Sequence, residues 1–259
     1  MSGNLTIGVT GATGRMGESV REAAGNRGLS VAFAVNRDPD PSREDIEPAG
    51  QFESLLAETD PDAVIDFTGP ASTVTYVQAA ASAGVPFVTG TTGFSDDQRA
   101  TLEAAGEEIP VLLGANFARG VQALIDAVEA AVDSLAEYDI ELTETHHNGK
   151  RDAPSGTASL ILDRIDAARG TRSERVYGRE GEAERGAGEI GVHARRAGDV
   201  TGEHEVLLAG NREVLSLTHR AGSRSVFAEG ALDAAGWLTG QEEGFYRFAD
   251  IASALTETQ

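Results

Sequence analysis

The sequence predicts an α/β fold in which a doubly wound parallel sheet is interrupted by an inserted α+β domain. Three observations point to it. Up to about Ala118, short apolar runs alternate with alanine-rich helical stretches in the rhythm of βαβ units. Beyond that point a long helix, a strand, another helix and three closely spaced strands break the rhythm. From Ser225 the chain returns to helix. The expected division is residues 1–118 with 222–259 for the parallel-sheet domain and 119–221 for the insert.

In the first domain, strands are predicted at 5–10, 29–36, 63–68, 86–89 and 110–114, each a short apolar run suited to burial on both faces. Helices at 15–26, 52–58, 72–83 and 95–108 separate them. Gly84 stands where a helix ends in a left-handed residue, and Ser95 with Gln98 forms a capping box. The insert reads as a helix over 119–136, a strand over 138–145 and a helix over 155–169. Residues 170–188, charged and glycine-rich, read as a loop; strands follow at 190–195, 204–209 and 212–218, with Gly210-Asn211 as a hairpin turn. Helices at 225–239 and 245–255 complete the chain.

Composition narrows the function classes. Forty-two acidic residues against 21 basic ones leave a net charge of -21, spread along the chain. Nucleic acid and anionic membranes are poor partners for that surface. Arginine has replaced lysine almost everywhere, since Lys150 is the one lysine. This pattern suits work in molar salt, where the Debye length falls to ~3 Å and self-repulsion is screened. The absence of cysteine excludes disulfides, thiolate metal sites and a cysteine nucleophile. Met1 leads into an apolar strand without a basic segment, and no stretch approaches the ~18 apolar residues of a membrane span. A cytoplasmic protein is expected.

Immediately after the first strand, Gly11-Ala12-Thr13-Gly14-Arg15-Met16-Gly17 opens a helix. Glycines there let the backbone turn tightly and approach a pyrophosphate, whose charge meets the amides and dipole of the helix N-terminus. Any tight βα turn can carry glycines, but this one sits in a βαβ context. The second strand ends in Asn36-Arg37, where an acid would bind the ribose 2′-hydroxyl of NAD. Asn36 does not repel a 2′-phosphate and Arg37 can pair with one, so NADPH should be accepted, or even preferred to NADH. A shifted register would instead give the acid's role to Asp38. Gly90-Thr91-Thr92-Gly93 and Gly114-Ala115-Asn116-Phe117 lie at further strand ends, where open α/β sheets bind ligands. Each also reads as a plain βα turn.

The densest chemistry runs from Glu144 to Thr157: Glu-Thr-His-His-Asn-Gly-Lys-Arg-Asp-Ala-Pro-Ser-Gly-Thr. Ser155 is a natural N-cap, and the amides of Gly156 and Thr157 behind it make an anion site. His146, His147 and Lys150 lie upstream in a turn containing Gly149, so cations and donors can converge on a small carboxylate, with an imidazole to move a proton. Read singly, Ser155 serves equally as a cap, and Asp152 reads as a turn carboxylate. A metal site is not expected, because the histidines are adjacent and no cysteine is present. A short-chain dehydrogenase would need tyrosine four residues before its lysine, and that position is His146.

With these residues assembled, the chain resembles the 4-hydroxy-tetrahydrodipicolinate reductase family along essentially its whole length. The likeness rests on Gly14 to Gly17, Gly90 to Phe94, Asn116-Phe117, the Glu144 to Thr157 block, Arg196-Ala197-Gly198-Asp199 and Gly202-Glu203-His204. The resemblance implies a Rossmann-type domain and an inserted α+β domain for substrate binding and homotetramer assembly. It implies His146 as proton donor or acceptor and Lys150 as second donor. A dicarboxylate substrate would be held by His147 with Gly156 and Thr157. It further implies that Gly11 to Met16, Gly90 to Thr92 and Gly114 to Phe117 line an NAD(P)H site. Two departures stand out: Asn36 replaces the usual acid, and Arg220 and Gly222 stand where lysine and serine are common. A nucleotide sensor of the same fold, or a dehydrogenase acting on another imino acid, are the competing readings.

Overall fold

A computed structural model describes residues 5–40, 42–252 and 254–256. The chain divides into two compact units, 1–117 with 224–259 and 118–223.

In the first unit the elements run β1 (Thr6–Thr10), α1 (Arg15–Asn26), β2 (Ser30–Asn36), β3 (Glu47–Pro48), α2 (Phe52–Thr59), β4 (Ala63–Asp66) and α3 (Pro70–Ala83). They continue with β5 (Phe87–Thr89), α4 (Asp96–Ala105) and β6 (Pro110–Leu113). The doubly wound sheet is observed, with seven strands in the order β12-β6-β5-β4-β1-β2-β3, where β12 is Gly244–Arg247. All pairs are parallel. Ile7, Val9, Ile65, Val88 and Leu112 are buried, as the apolar runs require of a sheet covered on both faces. Gly84 ends α3 at φ 72°, and both bonds of the Ser95–Gln98 capping box are present.

The C-terminal segment corrects one expectation. Residues 245–255, read as helix, instead give β12, a single turn α8 (Phe248–Ile251) and a 3₁₀ turn. Phe245 and Tyr246 pair in parallel with Val111 and Leu112, so an open sheet edge captures a segment whose local pattern suits a helix as well. Ahead of it, α7 (Ser225–Leu238) packs directly on the loop after β6: a Cβ at Gly230 would meet the Phe117 carbonyl oxygen at 1.9 Å.

The second unit runs α5 (Arg119–Ser134), β7 (Asp139–His146), α6 (Gly156–Arg169), β8 (Arg175–Tyr177), β9 (Ile190–Arg196), β10 (Gly202–Gly210) and β11 (Glu213–Ala221). Its mixed sheet has the order β11-β10-β7-β9-β8. The 170–188 loop therefore contains a strand that the charged sequence hid. Three residues carry too little periodicity to announce β8, and Arg175 is held by Asp166 on α6 at 2.5 Å. Asn211 and Arg212, both at positive φ, make the turn between β10 and β11, one residue later than Gly210-Asn211.

Candidate functional site

One face of β7 changes character along its length. Ile140 and Leu142 are buried and apolar; Glu144 and His146, next on the same face, are buried and polar. Register supplies their neighbours, with His204 of β10 opposite Glu144 and Arg196 of β9 opposite His146. A core-facing row thus ends in a cluster of ionisable groups.

Glu144 is fully buried. It accepts two hydrogen bonds from the Arg196 guanidinium, 2.9 and 2.8 Å, and one from the Ser155 amide, 3.2 Å, while its Oε2 is bonded to His146 Nδ1. Burial opposes ionisation of Glu144, but the bonds from Arg196 and His146 outweigh it and hold the carboxyl below its ordinary range. Burial is also the largest influence on His146 and lowers its pKa; Glu144 pulls the other way and offsets only part. Since an ionised carboxylate only accepts, neutral His146 carries its proton on Nδ1 and presents a lone pair at Nε2.

His204 meets His146 edge-on with ring centroids 5.2 Å apart, and its Nε2 lies 3.1 Å from Ser155 Oγ. Burial, reinforced by His146, pushes its pKa down to about 4. Ser155 Oγ also accepts the Ala158 amide at 3.1 Å, so this buried hydroxyl caps α6 and braces His204. Gly156 and Thr157 open α6 at the positive end of its dipole.

The lysine turn is stitched to the segment after β9. Lys150 N–H donates to the His147 carbonyl (3.1 Å), Asn148 N–H to Gly198 (3.1 Å), and Ala197 N–H to His146 (2.9 Å). Lys150 Nζ lies 2.9 Å from Asp152 Oδ1. Burial raises the Asp152 pKa, yet the bond from Lys150 more than compensates. The charge of Lys150 is also felt at His146, where it disfavours a second cation.

In the first unit, a cleft of about 820 Å³ opens at the carboxyl ends of β1, β2 and β4. Of the sequence-predicted cofactor residues, Gly11, Thr13, Gly14, Asn36 and Arg37 line it, and so does Asp38. Ala12, Met16 and Phe117 pack into the apolar core, whereas Arg15 is exposed on α1. Gly90, Thr91, Thr92, Gly114, Ala115 and Asn116 sit at the ends of β5 and β6, outside this cleft. The loop fits a dinucleotide. Gly11 is at φ 67° with the Phe67 carbonyl only 3.0 Å from where a Cβ would stand, and a Cβ at Gly17 would meet the Gly11 oxygen at 2.2 Å. Among the described residues no cluster suited to a metal ion is present.

Glu144, Arg196 and His204 lie inside the motifs quoted above, but no local pattern in the sequence assigns them a role. Alternation along β7 was the available signal, because it carries Glu144 onto the same face as Ile140 and Leu142.

Among known families, "Dihydrodipicolinate reductase, N-terminus" matches residues 5–117 and "Dihydrodipicolinate reductase, C-terminus" matches 120–252. The chain belongs to the dihydrodipicolinate reductase family. Relatives named 4-hydroxy-tetrahydrodipicolinate reductase include one from Natronomonas pharaonis, 56% identical over 95% of this chain and 99% of its own. Another, from Haloarcula marismortui, is 51% identical over 96% and 99%. Both come from halophiles, in keeping with the acidic, lysine-poor composition. A dipicolinate-bound dihydrodipicolinate reductase from Paenisporosarcina sp. TG-14 shares the fold at TM-score 0.77 and 22% identity, covering 95% of this chain and 99% of that one. An amine dehydrogenase from Mycobacterium smegmatis superposes at TM-score 0.62 with 13% identity, covering 96% of each chain. The architecture therefore extends beyond dihydrodipicolinate reductases, and the fold alone does not choose the reaction.

Proposed function

We infer that this chain reduces 4-hydroxy-tetrahydrodipicolinate to tetrahydrodipicolinate with NADPH or NADH, in the diaminopimelate route to lysine. The observation that carries the reading is the match of both reductase halves, 5–117 and 120–252, along one chain. The buried Glu144–His146 pair supports it chemically.

Loss of water from the hydroxylated ring gives a conjugated cyclic imine. When bound, the reduced nicotinamide supplies a hydride to its distal alkene carbon. The resulting enamine needs a proton, and His146 delivers it from Nε2 once that lone pair has taken up a proton from solvent, with Glu144 stabilising the imidazolium through Nδ1. Lys150 is the second donor and lends positive charge. His147 and the Gly156 and Thr157 amides hold the substrate carboxylates, with Ser155 fixing the helix start. Gly11 to Met16 cradle the pyrophosphate, Asn36 and Arg37 face the adenosine ribose, and Gly90 to Thr92 with Gly114 to Phe117 serve the nicotinamide side.

The first unit is thus the dinucleotide domain, and the second binds substrate and assembles a homotetramer. The exposed β11, at the sheet edge with Val214 63% and Leu215 36% accessible, supports the assembly role. No helix of the described residues is long and apolar enough to cross a membrane, which supports a cytoplasmic enzyme.

The deciding assay follows oxidation of NADPH and NADH in molar salt, with substrate generated by its synthase from pyruvate and aspartate semialdehyde. Substrate-dependent turnover, inhibited by pyridine-2,6-dicarboxylate, is expected. A folded protein that binds nucleotide but does not turn over would be a sensor or act on another imino acid.

A further inference from the structure

Asp66, the last residue of β4, is fully buried, and the hydrogen-bond partners described for its side chain are hydroxyls. Thr10 Oγ1 and Thr68 Oγ1 donate to Oδ1 at 2.6 and 2.7 Å. Thr73, Thr89 and Thr91 reach Oδ2 at 2.7, 2.8 and 3.1 Å. A carboxylate offers about four lone-pair sites, so five hydroxyls exceed its capacity. Thr73 has a second acceptor, the Gly69 carbonyl at 3.1 Å, and by turning to it leaves four donors for four sites.

A buried carboxyl is a costly way to join three strand ends, since apolar side chains would fill the space without desolvation. What it does here is connect loops. Thr10 precedes the Gly11 to Gly17 turn, Thr68 lies in the loop after β4, and Thr73 is in the first turn of α3. Thr89 and Thr91 flank Gly90, whose amide donates to the Asp66 carbonyl at 2.9 Å. The same loops press on one another: a Cβ at Gly11 would lie 3.0 Å from Thr68 Cγ2, and one at Gly90 would lie 2.0 Å from the Phe67 ring. Gly11 and Thr68 both line the 820 Å³ cleft.

We propose that Asp66 is a positioning residue for the nucleotide, its carboxylate setting the relative heights of the loops after β1, β4 and β5 so that their backbones meet NAD(P)H together. The proposal rests on the cofactor reading above. Asp66 itself is fully buried and does not line the cleft.

The test is NADPH titration by calorimetry in molar salt, with steady-state kinetics, on the wild type and Asp66→Asn. An amide cannot accept on its nitrogen side, so two hydroxyls lose their acceptor. The NADPH Kd and KM should rise about tenfold or more, with kcat at saturating NADPH and the KM for the imine substrate within about threefold of wild type. A purely structural role would lower the melting temperature and leave the NADPH Kd unchanged, and that result overturns the proposal. If Asp66→Asn does not fold, Thr10→Val and Thr89→Val decide, each deleting one donor to the carboxylate at near-constant shape. A weakened NADPH Kd in either supports the proposal, and wild-type affinity in both overturns it. A wild-type protein that binds neither nucleotide overturns the cofactor reading, and this inference with it.

Discussion

Glu144 grips Arg196 through two hydrogen bonds, 2.9 and 2.8 Å, and through the same carboxylate holds the Nδ1 side of His146. One buried anion therefore serves a fixed cation and a titratable ring at once. Arg196 keeps Glu144 ionised, and ionised Glu144 decides which nitrogen of His146 faces outward.

Replacing Glu144 with Gln removes the influence that raises the His146 pKa and leaves burial, Lys150 and Arg196 to depress it. The expected outcome is a kcat lower by roughly 10²-fold at neutral pH, with the pKa above which kcat falls, that of the protonated His146 donor, moved to lower pH. Loss of the anion beside Arg196 should also cost stability. An unshifted pH profile would remove Glu144 from the proton path.

Lys150 admits a separation of charge from acidity. Lys150→Ala should lower kcat by roughly 10²-fold and raise the substrate KM, whereas Lys150→Arg keeps the charge but cannot release a proton, so kcat falls while KM changes little. Steady-state kinetics at saturating cofactor separates these outcomes. A Lys150→Arg variant with wild-type kcat would confine Lys150 to carboxylate binding.

His204 predicts an acid limb of stability. Its folded pKa of about 4 lies below the ordinary 6.5, so between those values the unfolded chain takes up a proton that the native state refuses. The stabilisation is complete above pH 6.5 and is lost as pH falls toward 4, at up to roughly 1.4 kcal/mol per pH unit. His146 and His219, also depressed, act in the same direction. Urea midpoints measured from pH 7 to 5 in molar salt should fall less steeply for His204→Gln than for wild type, and equal slopes would refute the assignment.

Arg37, at the cleft with Nη2 3.4 Å from Ser72 Oγ, bears on cofactor choice. Arg37→Ala should raise the NADPH KM about tenfold, consistent with loss of a charged hydrogen bond, and barely alter that for NADH. Asn36→Asp should weaken NADPH through repulsion. If wild type prefers NADH by more than tenfold, Asp38 rather than Asn36-Arg37 faces the ribose.

Local signals were enough for much of this protein. Glycines after β1, capping at Ser95, the left-handed Gly84 and the period of the apolar runs are properties of neighbours in sequence, and each appears where the chain places it. The motif from Glu144 to Thr157 was equally legible, since Ser155 caps α6 and Lys150 closes a turn with His147 through residues close by. Tertiary structure decided what depends on distant partners. β12 exists because β6 offers an open edge, and β8 because β9 does. Arg196 and His204 reach Glu144 only through the register of a mixed sheet. Asp66 meets Thr10 across 56 residues of chain. Periodicity marks which face a residue occupies, but the partner across that face follows from strand pairing, which no local window contains.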